Sequence, residues 1–264
     1  MVPVADVAAI LDVTAGATLH LPDSGDRYLS VMVGNQDHYL NAVHHDAGEH
    51  RLTLAAFETS HLLVAARILV DPYDAEDVSA VNALQDEPRL DAASATPFEM
   101  PNYDVASYTA TRQAAVLALA KGVEGFARAF GRREDVDPFR HLLGTAAGWG
   151  GLPDHEAYYL NVEPTLPVGA YQLTVCDVPV DGLWSVSLYT PEGYFPTDTG
   201  GKVSVNALTA ERNADESVTI HFGGPDDAPN QLPIMDGWIY LVPFCRPRPE
   251  ILDGTWTFPT VEPA

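Results

Sequence analysis

The C-terminal part of the chain alternates between hydrophobic and polar positions with a period of two. Trp184, Val186 and Leu188 fall on one side of an extended chain, and the residues between them fall on the other. Residues 217–222 repeat this alternation, and residues 237–243 form a more continuously apolar segment. Because successive side chains of a strand point to opposite faces, the pattern predicts half-buried β-strands.

Glycine, proline and aspartate separate these predicted strands. They occur together at residues 191–193, 200–201, 223–225 and 253–254, where sharp reversals of the backbone are favoured. Several short strands at such spacing predict an antiparallel β-sandwich or a jelly roll.

The middle of the chain has a helical period instead. After Asp104, apolar residues recur at helical spacing until Gly131, which can end a helix. These apolar residues are Val116, Leu119, Val123, Phe126 and Phe130. Asp137 and Pro138 then read as the N-cap and first-turn proline of a second helix that runs to Gly148. The pattern predicts a helical hairpin.

The sequence therefore predicts a mainly β protein with a helical insert, in which two antiparallel β-sandwich or jelly-roll-like modules are joined by a helical hairpin. The predicted boundaries are 1–95 for the N-terminal module, 102–150 for the hairpin and 151–264 for the C-terminal module, with a linker at 92–101. A chain of 264 residues is long enough for one large or two modest domains with a real core.

Three blocks of the C-terminal region carry a family resemblance. They are Leu-Trp-Ser-Val-Ser-Leu-Tyr at 183–189, Asn-Gln-Leu-Pro at 230–233 and Leu-Asp-Gly-Thr-Trp-Thr-Phe-Pro at 252–259. The region resembles the C-terminal module of bacterial proteins built from two paired domains of unknown function, numbered twelve fifty-four and twelve fourteen. Gln231 stands where the family has Trp, and Pro243 where it has Arg, which removes an aromatic platform and a cation suited to an anionic ligand.

The N-terminal half resembles the partner module, twelve fifty-four. Its signals are Asp-Arg-Tyr-Leu-Ser-Val at 26–31, the strand 61–70, and the blocks at 76–78 and 84–86. The family's Asn-x-Asp-Thr-x-Tyr segment before the first strand is absent, so the domain is expected to be pared down or to have lost a functional edge. The resemblance implies the two-module fold, and the family offers no settled reaction to borrow.

The chain is strongly acidic. It holds 37 acidic and 14 basic residues, for a formal charge of -23, and its only lysines are Lys121 and Lys202. Such a charge repels phosphate backbones and anionic lipids, so nucleic-acid and membrane-surface partners are excluded. The scattered acidic residues are typical of a solvated surface, in a salty cytoplasm or from a coding bias; a cation-binding surface is the alternative.

A cytoplasmic location is predicted from two absences in the sequence. No stretch approaches the roughly 18 apolar residues of a membrane-spanning helix, and no basic region precedes an apolar core at the N-terminus. Cys176 and Cys245 lie in or beside predicted strands without a Cys-x-x-Cys spacing. Buried free thiols are favoured over a disulfide in that compartment.

The strongest candidate for chemistry is the glycine-rich, aromatic segment 148–159. His155 could act as a general acid or base near neutral pH, oriented by Asp154 or Glu156. Trp149, beside three glycines, is the tryptophan expected to face a ligand. A packed linker whose polar groups cap a helix is favoured over this role.

Arg67 lies in an apolar predicted strand, where a buried cation needs a partner. A structural pair with an acid such as Asp12 or Asp71 is favoured, and a ligand carboxylate is the alternative. If a ligand binds between the two modules, the expected lining residues are Trp149, His155, Tyr158 and Arg67.

Four histidines occur close together at His38, His44, His45 and His50, with carboxylates nearby. In a strand His44 and His45 face opposite sides, so they cannot hold one ion together. No His-Glu-x-x-His spacing occurs. The sequence therefore predicts a polar, exposed hairpin and no metal site.

Two function classes remain open. Phosphate-loop, dinucleotide-binding and Gly-x-Ser-x-Gly motifs are all absent, so no cofactor is expected. The favoured function is the binding of a small organic or sugar-like ligand between the modules. The alternative is a metal-independent hydrolase or lyase that acts on a small organic substrate with His155 and a nearby carboxylate. The compactness of the chain favours a homo-oligomer, and the exposed sheet edges of any sandwich leave an assembly module as a third class.

Overall fold

The computed structural model of the protein describes residues 4–72, 74–116, 127–148, 150–197, 199–200 and 202–264. The chain forms two compact units, Val4–Pro153 and Asp154–Ala264, here called the first and second modules. Each module contains two β-sheets around its own hydrophobic core. The prediction of a mainly β, two-module protein with a helical insert is confirmed, and the helical segment after residue 102 belongs to the first module.

The described residues of the first module form seven strands and four α-helices. The strands are β1 (Val4–Asp12), β2 (Ala17–Leu21), β3 (Leu29–Asn35), β4 (Leu40–His44), β5 (Gly48–Leu52), β6 (His61–Leu69) and β7 (Arg89–Ala92). The helices are α1 (Leu54–Phe57), α2 (Ala75–Gln85), α3 (Val105–Thr111) and α4 (Pro138–Ala147). One sheet has the order β1-β6-β3-β4 and the other β5-β2-β7, and all neighbouring strands are antiparallel.

The alternation along β6 decides which face of the first sheet is buried. Leu62, Val64 and Ile68 are almost fully buried and pack in one core with Leu19 of the second sheet. Leu63, Ala65 and Arg67 alternate with the buried positions and point to the opposite face. Arg67 therefore lies outside the sandwich core, on the outer face of the first sheet.

The second predicted helix is confirmed as α4. Asp137 is its N-cap, and the Asp137 carboxylate accepts hydrogen bonds from the N–H groups of Phe139 and Arg140 at 3.0 and 2.9 Å. Pro138 occupies the first turn, where its missing N–H costs nothing. Asp104 caps α3, which continues into a π-helical turn at Arg112–Val116. Leu119, Val123 and Phe126 of the first predicted helix lie outside the described residues.

Two of the N-terminal resemblance blocks, 26–31 and 76–78, meet in space. The Arg27 guanidinium pairs with the Asp77 carboxylate and also donates to the Leu69 carbonyl oxygen at 2.7 Å. Asp77 further accepts the Asp71 N–H at 2.7 Å. The hydrogen bonds from Arg27 and from the Asp71 N–H hold the pKa of Asp77 below its usual range. These residues tie α2 to the end of β6, so their role is structural.

The second module is a second sandwich. Its strands are β8 (Ala157–Val162), β9 (Ala170–Val175), β10 (Ser185–Tyr189), β11 (Ser204–Asn206), β12 (Val218–Gly223), β13 (Gln231–Leu232), β14 (Ile239–Cys245) and β15 (Glu262–Pro263). The sheets have the orders β11-β10-β14-β8 and β13-β12-β9-β15, and a one-turn helix, α5 (Pro249–Leu252), follows β14. The short strand β13 pairs parallel to β12, where only antiparallel pairs were predicted.

The inward residues predicted for the second module form its core. Trp184, Val186 and Leu188 are buried, and so are Val218, Ile220 and Phe222 of β12. The third predicted strand is β14, and it contributes Tyr240, Val242 and Phe244. Burial raises the pKa of the Tyr240 hydroxyl to about 12, so this side chain remains neutral inside the core.

The other two C-terminal blocks close turns around this core. Asn230 adopts a left-handed backbone conformation, with φ of 51°. The Asp253 carboxylate accepts hydrogen bonds from the Thr255 N–H and hydroxyl at 2.9 and 2.7 Å. Trp256, which follows this turn, packs edge-on against Phe244 with ring centroids 5.9 Å apart. The blocks that carry the family resemblance are scaffold.

Two further predictions concern the burial of the thiols and the absence of a membrane-spanning helix. Cys245 is buried and forms no disulfide with Cys176, as predicted, but Cys176 is exposed, because it lies just past the end of β9. Within the described ranges, no helix has both the length and the apolar composition needed to cross a bilayer.

Candidate functional site

The residues predicted to line one cleft belong to different modules. Arg67 is in the first module, whereas His155 and Tyr158 are in the second. Trp149 lies outside the described residues. The cleft between the modules therefore stays a prediction.

The predicted catalytic group lies in a turn just before β8. His155 and Glu156 are neighbours in sequence, yet the turn brings the His155 Nε2 atom to 3.9 Å from the Glu156 Oε1 atom. This distance exceeds that of a hydrogen bond. The His155 side chain is 74% exposed, while that of Glu156 is 14% exposed and Asp154 is half-buried.

Tyr158 belongs to β8 and packs against the core of the second module. Its ring centroid lies 6.4 Å from that of Phe244, and the side chain is partly buried. This packing stabilises the hydrophobic core of the second module.

Arg67 has a structural partner, but the partner is Asp6. The register of β1 and β6 places Asp6 opposite Arg67, and the Arg67 Nε atom lies 3.1 Å from the Asp6 Oδ1 atom. The predicted partner Asp12 is instead occupied at the other end of β1. Its carboxylate accepts the N–H groups of Thr14 and Thr96 at 2.9 and 2.8 Å, which hold the pKa of Asp12 well below its usual range.

Arg67 and Asp6 lie at a pocket on the outer face of the first sheet, here called the sheet pocket. It has a volume of about 340 Å³. Its lining is mainly small or apolar, from Val7, Ala65, Met32 and Leu152, with Ser30 as a further polar residue. Within the described part of the chain, the Ser30 hydroxyl makes no hydrogen bond. The pocket thus joins an apolar surface to a neutralised ion pair and an available hydroxyl.

The glycine-rich segment forms one wall of this pocket. Gly150 has φ of 72°, a left-handed conformation that favours glycine, and a side chain there would meet the Met32 methyl group at 3.4 Å. The Gly150 N–H donates to the His38 Nε2 atom at 3.4 Å. Burial, and secondarily the neighbouring His141, lower the pKa of His38, which keeps this nitrogen free to accept.

The sequence did not identify Asp6, Ser30 and Met32 as site residues. One signal was available, because β3 (Leu29–Asn35) is apolar on both faces around Ser30, which is typical of a strand covered on both sides. In the structure every residue of β3 is buried. The pairing of β3 with β6, which brings Ser30 opposite Arg67, depends on long-range register.

The histidine group does not form an exposed hairpin, because β4 and β5 belong to different sheets. His44 is paired with Val31, whose side chain lies in the core, and the His44 and His50 ring centroids are 4.0 Å apart. Burial, and then the neighbouring His50 and His45, lower the pKa of His44 to about 4. Among the described residues, no group of three or more ligands could hold a metal ion.

The lowered pKa of His44 predicts a pH-dependent stability. The folded state holds His44 neutral, whereas the unfolded chain protonates it below about pH 6.5, so stability present above that pH is lost as pH falls towards 4. We expect the unfolding free energy to fall by about 1.5 kcal/mol more in the wild type than in His44→Gln between pH 7 and pH 4.5, after allowance for the half-exposed ring. Urea denaturation at the two pH values measures this difference. Equal losses in both proteins would contradict it.

No protein-family model and no curated protein matches the sequence. Solved structures that share the fold include the following two. The VPA0106 protein from Vibrio parahaemolyticus has a TM-score of 0.75 and 15% identity, over 99% of this chain and 89% of that one. An uncharacterised protein from Burkholderia cenocepacia has a TM-score of 0.58 and 13% identity, over 98% of this chain and 76% of that one. At such identities the likeness concerns the fold alone.

Proposed function

We propose that this protein binds a small, uncharged organic or sugar-like molecule in the sheet pocket of the first module. The observation that carries the proposal is the lining of this pocket, in which an apolar surface from Met32 and Leu152 lies beside the Arg67–Asp6 pair. Small-molecule sites commonly combine a mainly apolar wall with a few polar groups that fix orientation.

The charges of the pocket favour an uncharged ligand. The positive charge of Arg67 is offset by Asp6, and the remaining polar lining residue is the Ser30 hydroxyl. A hydroxyl group of the ligand can form hydrogen bonds with the Ser30 hydroxyl and with the Asp6 carboxylate. Such a ligand adds no charge to the pocket. An anion would lose its hydration shell and find the cation already paired.

The volume of the pocket limits the size of the ligand. At about 340 Å³ it lies near the lower end of the range for small-molecule sites, which suits a single sugar ring or a molecule of similar size. Gly150, which has no side chain, leaves space for the ligand at this wall.

Filling the pocket tests the proposal. Ala65 lies on the outer face of β6 and lines the pocket, so Ala65→Phe should occupy it without entering the sandwich core. A library of monosaccharides and neutral small organic molecules is screened by thermal shift, and hits are measured by calorimetry. We expect hits to lose at least about tenfold in affinity in Ala65→Phe, since burial of an aromatic side chain removes the apolar contacts of the ligand.

Leu63→Phe is the matched control, because Leu63 lies on the same face of the same strand but does not line the pocket. It should bind hits like the wild type. Equal binding by Ala65→Phe would disprove the sheet pocket as the site. Each hit is also tested for turnover with the wild type and His155→Ala. Conversion that is lost in His155→Ala while binding survives would support the hydrolase or lyase alternative.

A further inference from the structure

A second, larger pocket lies in the first module where the edge strands β4 and β5 of the two sheets are adjacent to helix α1. This edge pocket has a volume of about 640 Å³. Its apolar lining comes from Ala42, Ala56 and Phe57, and its charged lining includes Arg51, Arg132 and Arg133. The chain has only 14 basic residues against 37 acidic ones, so three arginines around one pocket are a marked local departure from its overall charge.

The three arginines differ in how they are held. Arg133 is fixed on several sides, with its NH2 atom 3.1 Å from Asp37, its Nε atom 3.4 Å from Glu58 and its guanidinium carbon 4.6 Å from the Tyr39 ring centroid. These partners neutralise its charge and leave it a positioning role at the pocket.

Among the described residues, neither Arg132 nor Arg51 forms an ion pair with a carboxylate. The Arg132 Nε atom donates to the Asn41 carbonyl oxygen at 3.2 Å, which ties the turn before α4 to β4 and directs the guanidinium to this end of the sandwich. Within the described residues, Arg51 has no ion pair or hydrogen bond through its side chain. The lining holds three arginines against two carboxylates, Glu58 and Glu134, which gives it a net charge of +1.

His44 adds a further polar group at the floor of the pocket. Its Nε2 atom is buried and has no hydrogen-bond partner among the described residues. A buried polar atom without a partner is costly, and a polar ligand group that reached it would recover that cost. The lining thus combines the guanidinium groups of Arg51 and Arg132, the buried Nε2 atom of His44 and an apolar wall.

We propose that the edge pocket binds a small organic carboxylate that has an apolar body. A planar carboxylate matches the fork of a guanidinium group, and the wall of Ala42, Ala56 and Phe57 would cover the apolar part. Inorganic phosphate would leave that wall empty, and a polyanion would be repelled by a chain of charge -23. This site is separate from the sheet pocket, because the two share no lining residue.

Calorimetry with benzoate, phenylacetate and hexanoate tests the proposal, with benzamide as the uncharged analogue of benzoate and inorganic phosphate as the anion without an apolar body. We expect at least one of the three carboxylates to bind and to exceed benzamide and phosphate in affinity by about tenfold. The Arg51→Gln/Arg132→Gln double variant should reduce that affinity by about tenfold or more, and raising the salt concentration should weaken it.

Arg212→Gln is the control for a positive charge lost elsewhere in the chain, because it removes one arginine charge from the second module, where Arg212 donates to the Glu216 carbonyl oxygen. Its affinity should equal that of the wild type, and circular dichroism confirms that each variant is folded. No binding by any of the three carboxylates, equal binding of benzamide, or unchanged affinity in the double variant would overturn the proposal. Phosphate binding as tightly as the carboxylates would overturn the apolar-body assignment. Ala65→Phe should leave carboxylate binding unchanged, which separates this test from that of the sheet pocket.

Discussion

Replacing Asn230 by alanine is expected to destabilise the second module by about 3 kcal/mol. The Asn230 Nδ2 atom donates to the carbonyl oxygens of Glu211 and Thr219 at 2.8 and 2.9 Å, and its Oδ1 atom accepts the Glu211 N–H at 2.8 Å. One side chain thus joins three separate segments of the module. Alanine would lose all three bonds and would also have to adopt φ of 51°, which is unfavourable for a residue with a Cβ atom.

Urea denaturation followed by tryptophan emission measures this effect, because Trp184, Trp238 and Trp256 all lie in the second module. Asn230→Gly separates the two causes, since glycine tolerates the left-handed backbone but makes no side-chain bonds. It should be about 1 kcal/mol more stable than Asn230→Ala. Asp227→Ala, an exposed change in the same loop, should be near neutral. A loss under about 1 kcal/mol in Asn230→Ala would contradict the structural role.

The sequence predicted those parts of the fold that local physics determines. The alternation of Trp184, Val186 and Leu188 identified their buried face, because one face of each strand must exclude water. Asp137 and Pro138 located the start of α4, because capping chemistry acts within a few residues. Both kinds of signal are contained in short segments of chain, so no knowledge of tertiary contacts is needed to read them.

The candidate sites depend on contacts that short segments do not encode. Asp6 meets Arg67 through the register of β1 and β6, 61 residues apart in sequence. His44 and His50 were read as parts of one hairpin, but the chain passes from one sheet to the other between β4 and β5. Nothing in residues 44–50 distinguishes a hairpin from such a crossing, because both place a short polar turn between two strands.

The glycine-rich segment has a recognisable local composition, but the role of each glycine depends on long-range contacts. Its composition singled out residues 148–159 as a candidate for chemistry, but it gave the individual glycines no separate roles. In the structure the three glycines differ in how strongly they are required. Gly150 has a left-handed backbone, and Gly151 lies against Phe130. A side chain at Gly148 would meet nothing within 4 Å, so glycine is not required there. Only the packing partners reveal which of them is indispensable.

Gly151→Ala is therefore expected to destabilise the first module by about 3 kcal/mol. A Cβ atom at this position would lie 2.2 Å from the Phe130 Cε2 atom, far inside the contact distance of two carbon atoms. Phe130 is 8% exposed, and its ring also lies against Gly144 of α4, so it cannot easily turn aside. The segment would have to move away from the ring, which would also displace the Gly150 wall of the sheet pocket. Thermal and urea denaturation followed by far-ultraviolet circular dichroism measure the loss.

Gly148→Ala is the matched control, because Gly148 has an extended backbone that any residue adopts and open space around its Cα atom. Its stability should stay within about 0.5 kcal/mol of the wild type. Phe130→Leu provides the second comparison, since a smaller side chain makes room for the added methyl group. The double variant Gly151→Ala/Phe130→Leu should then be less destabilised than the sum of the two single variants by about 1 kcal/mol or more. Strict additivity of the two changes would show that the close approach of Gly151 to Phe130 does not set the conformation of this segment.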